Sequence, residues 1–102
     1  MSYLVTVAFD LNDVSDSDQE TVYNEVHAAL ATMGFSRMSR ARDGTVVELP
    51  QFAAVRVLRG STAGSLVEQI SKSVVDAFRS RNLKSTILIT AGEHWAWGAQ
   101  KV

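Results

Sequence analysis

Hydrophobic and polar positions alternate from the first residues of the chain. In Tyr3-Leu4-Val5-Thr6-Val7-Ala8-Phe9-Asp10, Tyr3, Val5, Val7 and Phe9 fall on one face and Leu4, Thr6 and Ala8 on the other. This period of two predicts a strand over 3–10. A polar stretch, 11–17, leads into Ser17-Asp18-Gln19-Glu20, where Ser17 and Glu20 have the spacing of a capping box. The pattern then becomes helical: Val22, Val26, Ala29, Leu30 and Met33 make one apolar stripe, and Gly34 stands where a glycine closes a helix. Residues 35–40 read as a second strand, Asp43-Gly44 as a hairpin turn, and 52–58 as a third strand; Pro50 makes 45–49 a separate arm broken by a bulge or loop. Gly60-Ser61-Thr62 starts a second helix along the stripe Leu66, Val67, Ile70, Val74, Ala77 and Phe78. A fourth strand follows over 85–91, and alternation in 92–98, with Trp95 and Trp97 on one face, predicts a short fifth strand in a C-terminal arm.

Two β-α-β crossovers around a central hairpin define an α+β, ferredoxin-like βαββαβ domain spanning 1–102. Its expected sheet is antiparallel and four-stranded, in the order 4-1-3-2, with both helices on one face. Val5, Val7, Val55, Val57, Ile87 and Ile89 would face the helices. The opposite face would carry Leu4, Thr6, Ala8, Ala54, Arg56, Leu58, Leu88 and Thr90, which is too apolar to be left to solvent.

Composition narrows the chemistry. The chain is 46% apolar and 21% charged, an ordinary globular balance, and its 102 residues suit one core of two layers. It has no cysteine, so disulfides, a thiol redox pair and a thiolate zinc site are excluded, and any metal must take O or N ligands. Neither a signal-peptide pattern nor an apolar run of membrane-spanning length occurs, so a cytoplasmic protein without a membrane partner is expected. Net charge is −1, so any nucleic-acid contact must rest on a local patch.

Several activities can be weighed by residue type. An RNA-recognition sheet needs aromatic rings where Thr6, Ala8, Ala54 and Arg56 stand, and Gly60 to Gly64 leads to Ser65 rather than to a phosphate-loop lysine. His27 flanks the first helical stripe and reads as a solvated side chain. Trp95 and Trp97 either pack on the chain's own core or anchor a partner subunit. One constellation remains: Asp10 ends the first strand, Asp13, Asp16 and Asp18 follow, and topology places the hairpin arginines Arg37, Arg40 and Arg42 at the same sheet edge. Acids at a helix start balanced by arginines account for this. The sharper reading is that Asp10 holds Mg²⁺ or Mn²⁺ and the three arginines contact phosphates.

The layout, with Phe9-Asp10-Leu11 closing the first strand, resembles the small CRISPR adaptation protein often described as an endoribonuclease, in which an aromatic-Asp-aliphatic triplet ends that strand. The succession through Met33-Gly34-Phe35, the charged hairpin and Leu49-Pro50 is also similar to the endoribonuclease antitoxin of type V toxin–antitoxin systems, which shares that fold. The resemblance covers roughly residues 3–91. It implies a homodimer with sheets packed face to face and a C-terminal strand added to the partner's sheet, and in the CRISPR branch it makes Asp10 the metal-binding aspartate. Two functions are therefore expected. One is a dimeric nucleic-acid-processing protein, a metal-dependent endoribonuclease acting on single-stranded RNA, with Asp10 as catalytic residue. The other is a non-catalytic dimeric interaction or antitoxin-like regulatory module. A pocket enzyme built between sheet and helices ranks below both. In either dimer Leu4, Ala8, Ala54, Leu58, Trp95 and Trp97 would form the interface.

Overall fold

The computed structural model describes residues 2–12, 14–40, 44 and 46–93, without the side chains of Ser39, Arg40 and Val47. Strand β1 (Ser2–Leu11) follows the alternation of its sequence, with Tyr3, Val5, Val7 and Phe9 buried. Helix α1 (Gln19–Thr32) buries Val26, Ala29 and Leu30. Its N-cap is Asp18, which makes no side-chain cap; the carboxylate accepts from the Ser15 hydroxyl at 2.8 Å, so the expected box of Ser17 and Glu20 does not set the helix start. The C-terminus closes with Gly34 at φ +84°: Gly34 N–H donates to Ala31 O, Phe35 N–H to Leu30 O, and Phe35 is buried beneath the helix end.

Strands β2 (Met38–Arg40) and β3 (Val46–Glu48) form a hairpin, followed by β4 (Ala53–Arg59), α2 (Ala63–Ser80) and β5 (Ser85–Gly92). The Thr62 hydroxyl caps α2 by accepting from Ser65 N–H at 3.1 Å. Leu66, Ile70, Val74 and Phe78 form its buried stripe, and Asn82, at φ +55°, ends it in the left-handed region. The core joins these residues to the inner row of β1 and to Val26, Leu30, Phe35 and Ala54.

The expected four-stranded ferredoxin-like sheet is not what forms. The main sheet has three antiparallel strands in the order β4-β1-β5, and β2 pairs with β3 in a separate two-stranded sheet. Where a fourth strand was expected beside β4, a single bridge joins Ser36 to Val55. The cause is local. Leu49 N–H donates to Arg37 O at 2.7 Å, turning the chain after Ser36 toward its own hairpin arm. Ala53 N–H, on the same edge of β4 as Val55, is taken by Pro50 O, so that edge has less ladder left to offer. Closing the short loop between 40 and 46 also costs less entropy than pairing across the longer span to 53. The expected fifth strand, with Trp95 and Trp97, lies outside the described residues.

A second correction concerns the faces of β4. Its register on β1 pairs Val7 with Ala54, Val5 with Arg56 and Tyr3 with Leu58. Directly opposed residues share a face, so Ala54 and Leu58 point toward the helices and Val55 and Val57 point away. Ala54 is 0% exposed and Leu58 packs on the core, whereas Val57 is 53% exposed. Inward valines would bury six side-chain carbons where Ala54 and Leu58 bury five, a difference of only ~0.8 kcal/mol. The inward Arg56 offsets that: its Nη1 donates to Met33 O at 2.6 Å, an exposed bond worth about 1 kcal/mol.

Candidate functional site

Asp10 is the penultimate residue of β1, opposite Thr86 of β5. Its carbonyl oxygen accepts from the Ser85 hydroxyl, so its backbone is held by the neighbouring strand as well as by the ladder. The carboxylate is exposed, and the register puts it on the face turned away from the helices, in the same row parity as Leu4, Thr6 and Ala8. Asp16 and Asp18 are exposed on the turn before α1, and Asp13 lies outside the described residues. Among the described residues, no three acidic or histidine side chains gather in a group able to hold a metal ion.

The arginines divide. Arg37 is committed to its own hairpin: Nε donates to Leu49 O at 3.1 Å and Nη2 lies 3.2 Å from Glu48 Oε1. This ties the root of the β2-β3 hairpin. Arg40 ends β2, and Arg42 lies outside the described residues. Because Ser36 opposes Val55, and Val55 opposes Thr6, the segment 36–40 runs toward the end of the sheet that holds Asp10, with β4 between them. Among the described residues no ion pair joins the hairpin to Asp10, and the four-stranded sheet from which their shared edge was expected does not form.

His27 is structural. It is half-buried, donates from Nε2 to Gln51 O, and meets Phe9 at a tilt of 60° with centroids 5.6 Å apart. Phe9 also meets Tyr23 and Phe78 at 5.7 Å each, so this aromatic group pins α1, α2 and the 50–52 loop to the end of β1 that carries Asp10.

The face turned from the helices is the larger feature. Three cross-strand rows cover it: Val57-Leu4-Gly92, Val55-Thr6-Thr90 and Ala53-Ala8-Leu88. Leu88 is 62% and Val57 53% exposed. None of these nine residues is charged; Arg59, opposite Ser2, stands at one end of the face and Asp10 at the other. Of the residues expected at an interface, Leu4 and Ala8 lie on this face, Ala54 and Leu58 do not, and Trp95 and Trp97 lie outside the described residues. Val55 and Val57 were missed because Arg56 between them reads, by alternation alone, as the outward residue. Comparison of the chain with family models, curated proteins and solved structures finds no significant match.

Proposed function

We propose that this protein is a non-catalytic dimeric interaction module whose association surface is the helix-free face of the β4-β1-β5 sheet. The observation that carries the reading is a size pattern centred on the Thr6 row. On each strand a large apolar residue and a small one stand two positions either side of that row: Leu4 and Ala8, Val57 and Ala53, Leu88 and Gly92. A twofold axis running across the strands through Thr6 would set Leu4 over the partner's Ala8, Val57 over the partner's Ala53 and Leu88 over the partner's Gly92. The same operation brings Arg59 to the end of the partner's sheet where the partner's Asp10 stands, pairing opposite charges at both rims. Aligned sheets packed about 10 Å apart interdigitate through such large-on-small contacts.

Area sets the expected strength. Three strands at ~4.8 Å spacing and seven residues at ~3.3 Å give a flat footprint of about 330 Å² per protomer. Side-chain relief raises the accessible area, but a standard interface takes about 800 Å² per partner. A weak dimer, in exchange with monomer at micromolar concentration, is the corresponding expectation. Sedimentation velocity over a concentration series tests it: mass should rise from 11.1 kDa toward twice that value. Val57→Asp and Leu88→Asp should hold the chain monomeric; a monomer throughout the wild-type series rejects the module reading.

One observation favours the endoribonuclease reading as a second choice. Asp10 is an exposed carboxylate fixed at a strand end on the face proposed to meet a partner. Mg²⁺ commonly takes one or two protein carboxylates, the rest of its shell coming from water and substrate phosphates. One carboxylate per protomer, with Arg37 occupied, makes a sparse set for Mg²⁺ or Mn²⁺ and for phosphate recognition, which is why this reading ranks second. Incubation with a labelled single-stranded RNA panel and either ion separates the two. Cleavage that Asp10→Asn abolishes would put the nuclease reading first.

A further inference from the structure

The two edges of the main sheet are finished differently. Along β4 the outward edge is occupied: Ser36 bridges Val55, Ala53 N–H is taken by Pro50 O, and the strand carries Arg56 and Arg59. At the other end of the order, among the described residues, β5 pairs with β1 alone. Its sequence, Ser-Thr-Ile-Leu-Ile-Thr-Ala-Gly, holds no charge and no proline, and its register on β1 runs without a bulge. Charges, prolines and bulges are the usual guards of a sheet edge, because an open row of N–H and C=O groups invites another strand. Helix α2 does not close over this edge either. Ile87, Ile89 and Ala91, opposed to Phe9, Val7 and Val5 and so turned to the helix side, stay only half-buried.

Hydrogen bonding identifies the open groups. Asn12 N–H donates to Lys84 O, so the even-numbered residues of β5 turn their backbone groups to β1, and Ser85, Ile87, Ile89 and Ala91 turn theirs outward. We propose that this edge takes the β5 edge of a second copy, joining two of the face-paired dimers into a closed tetramer. The inference rests on the association face proposed above, through its symmetry. That face has its twofold axis along the Val55-Thr6-Thr90 row. Antiparallel pairing that sets Thr90 opposite the partner's Thr90 has its own axis through the same row, normal to the sheet. The two axes cross, and the assembly closes with 222 symmetry.

Side-chain sizes suit that register. Ile89 exchanges two backbone bonds with the partner's Ala91, and Leu88 lies beside the partner's Gly92, so each large residue meets a small one. Pairing centred on Leu88 would also match the strand to itself, Thr86 with Thr90 and Ile87 with Ile89, but its axis misses the Thr6 row by two residues and copies would add without end. One short ladder does not offset the freedom that two chains lose on associating. Joining two dimers makes two ladders in one event, so the edge acts only after the face has paired. It also adds buried surface to a face that by itself falls short of a standard interface.

The test extends sedimentation velocity of the full chain to a few hundred micromolar and follows amide exchange by NMR. Wild-type protein should reach four times 11.1 kDa and no more. Ile89→Pro removes an outward N–H and spares the β1 ladder, and Ala91→Lys sets a charge against the partner's Ile89; each, with folding checked by its thermal transition, should stop at twice 11.1 kDa. The amides of Ile87, Ile89 and Ala91 should gain protection only as the tetramer forms, while Leu88 and Thr90, bonded to β1, are protected throughout. A wild-type dimer that does not grow, with both variants indistinguishable from it, would overturn the edge assignment and leave the association face standing. Protection of Ile89 already in the dimer would overturn it as well, by showing that another segment, such as 94–102, fills the edge. Masses beyond four copies would reject the crossing axes, and a monomer throughout rejects the association face and this inference with it.

Discussion

Arg56 reaches from β4 over the end of α1 and donates from Nη1 to the carbonyl oxygen of Met33 at 2.6 Å, with its guanidinium where a Cβ on Gly34 would stand. Glycine, left-handed turn and arginine therefore form one closure. A Cβ at Gly34 would lie 2.9 Å from Arg56 Nε and Cζ.

Gly34→Ala should cost about 1–2 kcal/mol, from the left-handed backbone and the displaced arginine together. Arg56→Ala should cost about 1 kcal/mol through the lost cap. Because the first substitution already disturbs the second residue, the double variant should lose less than the sum of the singles. Urea denaturation of the four proteins measures the coupling; strict additivity would mean that Gly34→Ala leaves the Arg56 cap undisturbed.

The faces of β4 give a sharper contrast. Ala54 is fully buried and Val57 is 53% exposed, three residues apart on one strand. Ala54→Asp places an unpaired carboxylate in the core and should unfold the chain or cost more than about 3 kcal/mol, whereas Val57→Asp should change monomer stability by no more than about 0.5 kcal/mol. Circular dichroism melts at low protein concentration check both, and comparable losses would mean the register is wrong.

Arg37 is held by Glu48 and Leu49. Arg37→Ala should loosen the hairpin without touching the main core, at a cost of up to about 1 kcal/mol for a partly exposed pair. Faster hydrogen exchange at Leu49 N–H, which donates to Arg37 O, is the expected sign. Retained core protection with unchanged binding to single-stranded RNA would match a structural arginine; a selective loss of RNA binding would support the phosphate role.

Thr6 lies on the proposed twofold axis, and the chain has no cysteine of its own. Thr6→Cys should therefore be joined into a covalent dimer by a short bis-maleimide far more readily than a cysteine placed at Glu68 on the exposed side of α2. Equal yields at both positions would show random collision rather than the proposed pairing, and denaturing gel electrophoresis reads the result.

Much of this architecture is legible along the chain because it depends on neighbours in sequence. The alternation of β1 names its buried row, the stripe of α2 names Leu66, Ile70, Val74 and Phe78, and Gly34 marks the helix end, each through a local period or a dihedral requirement. The position of Asp10 at a strand end was equally local. Alternation on β4, in contrast, says only that Val55 and Val57 share a face, not which face meets the helices. The two choices differ by about one methylene of burial, and an arginine cap formed with a residue 23 positions away is enough to decide between them. Sheet order was settled the same way: the segment 35–40 has a strand's composition, but the bond from Leu49 N–H to Arg37 O assigns it to its own hairpin and leaves β4 one bridge. The open edge of β5 was beyond sequence reading altogether, because alternation does not tell which backbone groups turn to β1 and which turn outward until the strands pair. Local periodicity determined the elements and their apolar rows; long-range hydrogen bonds worth about a kilocalorie each decided how those rows were turned and which edge stayed open.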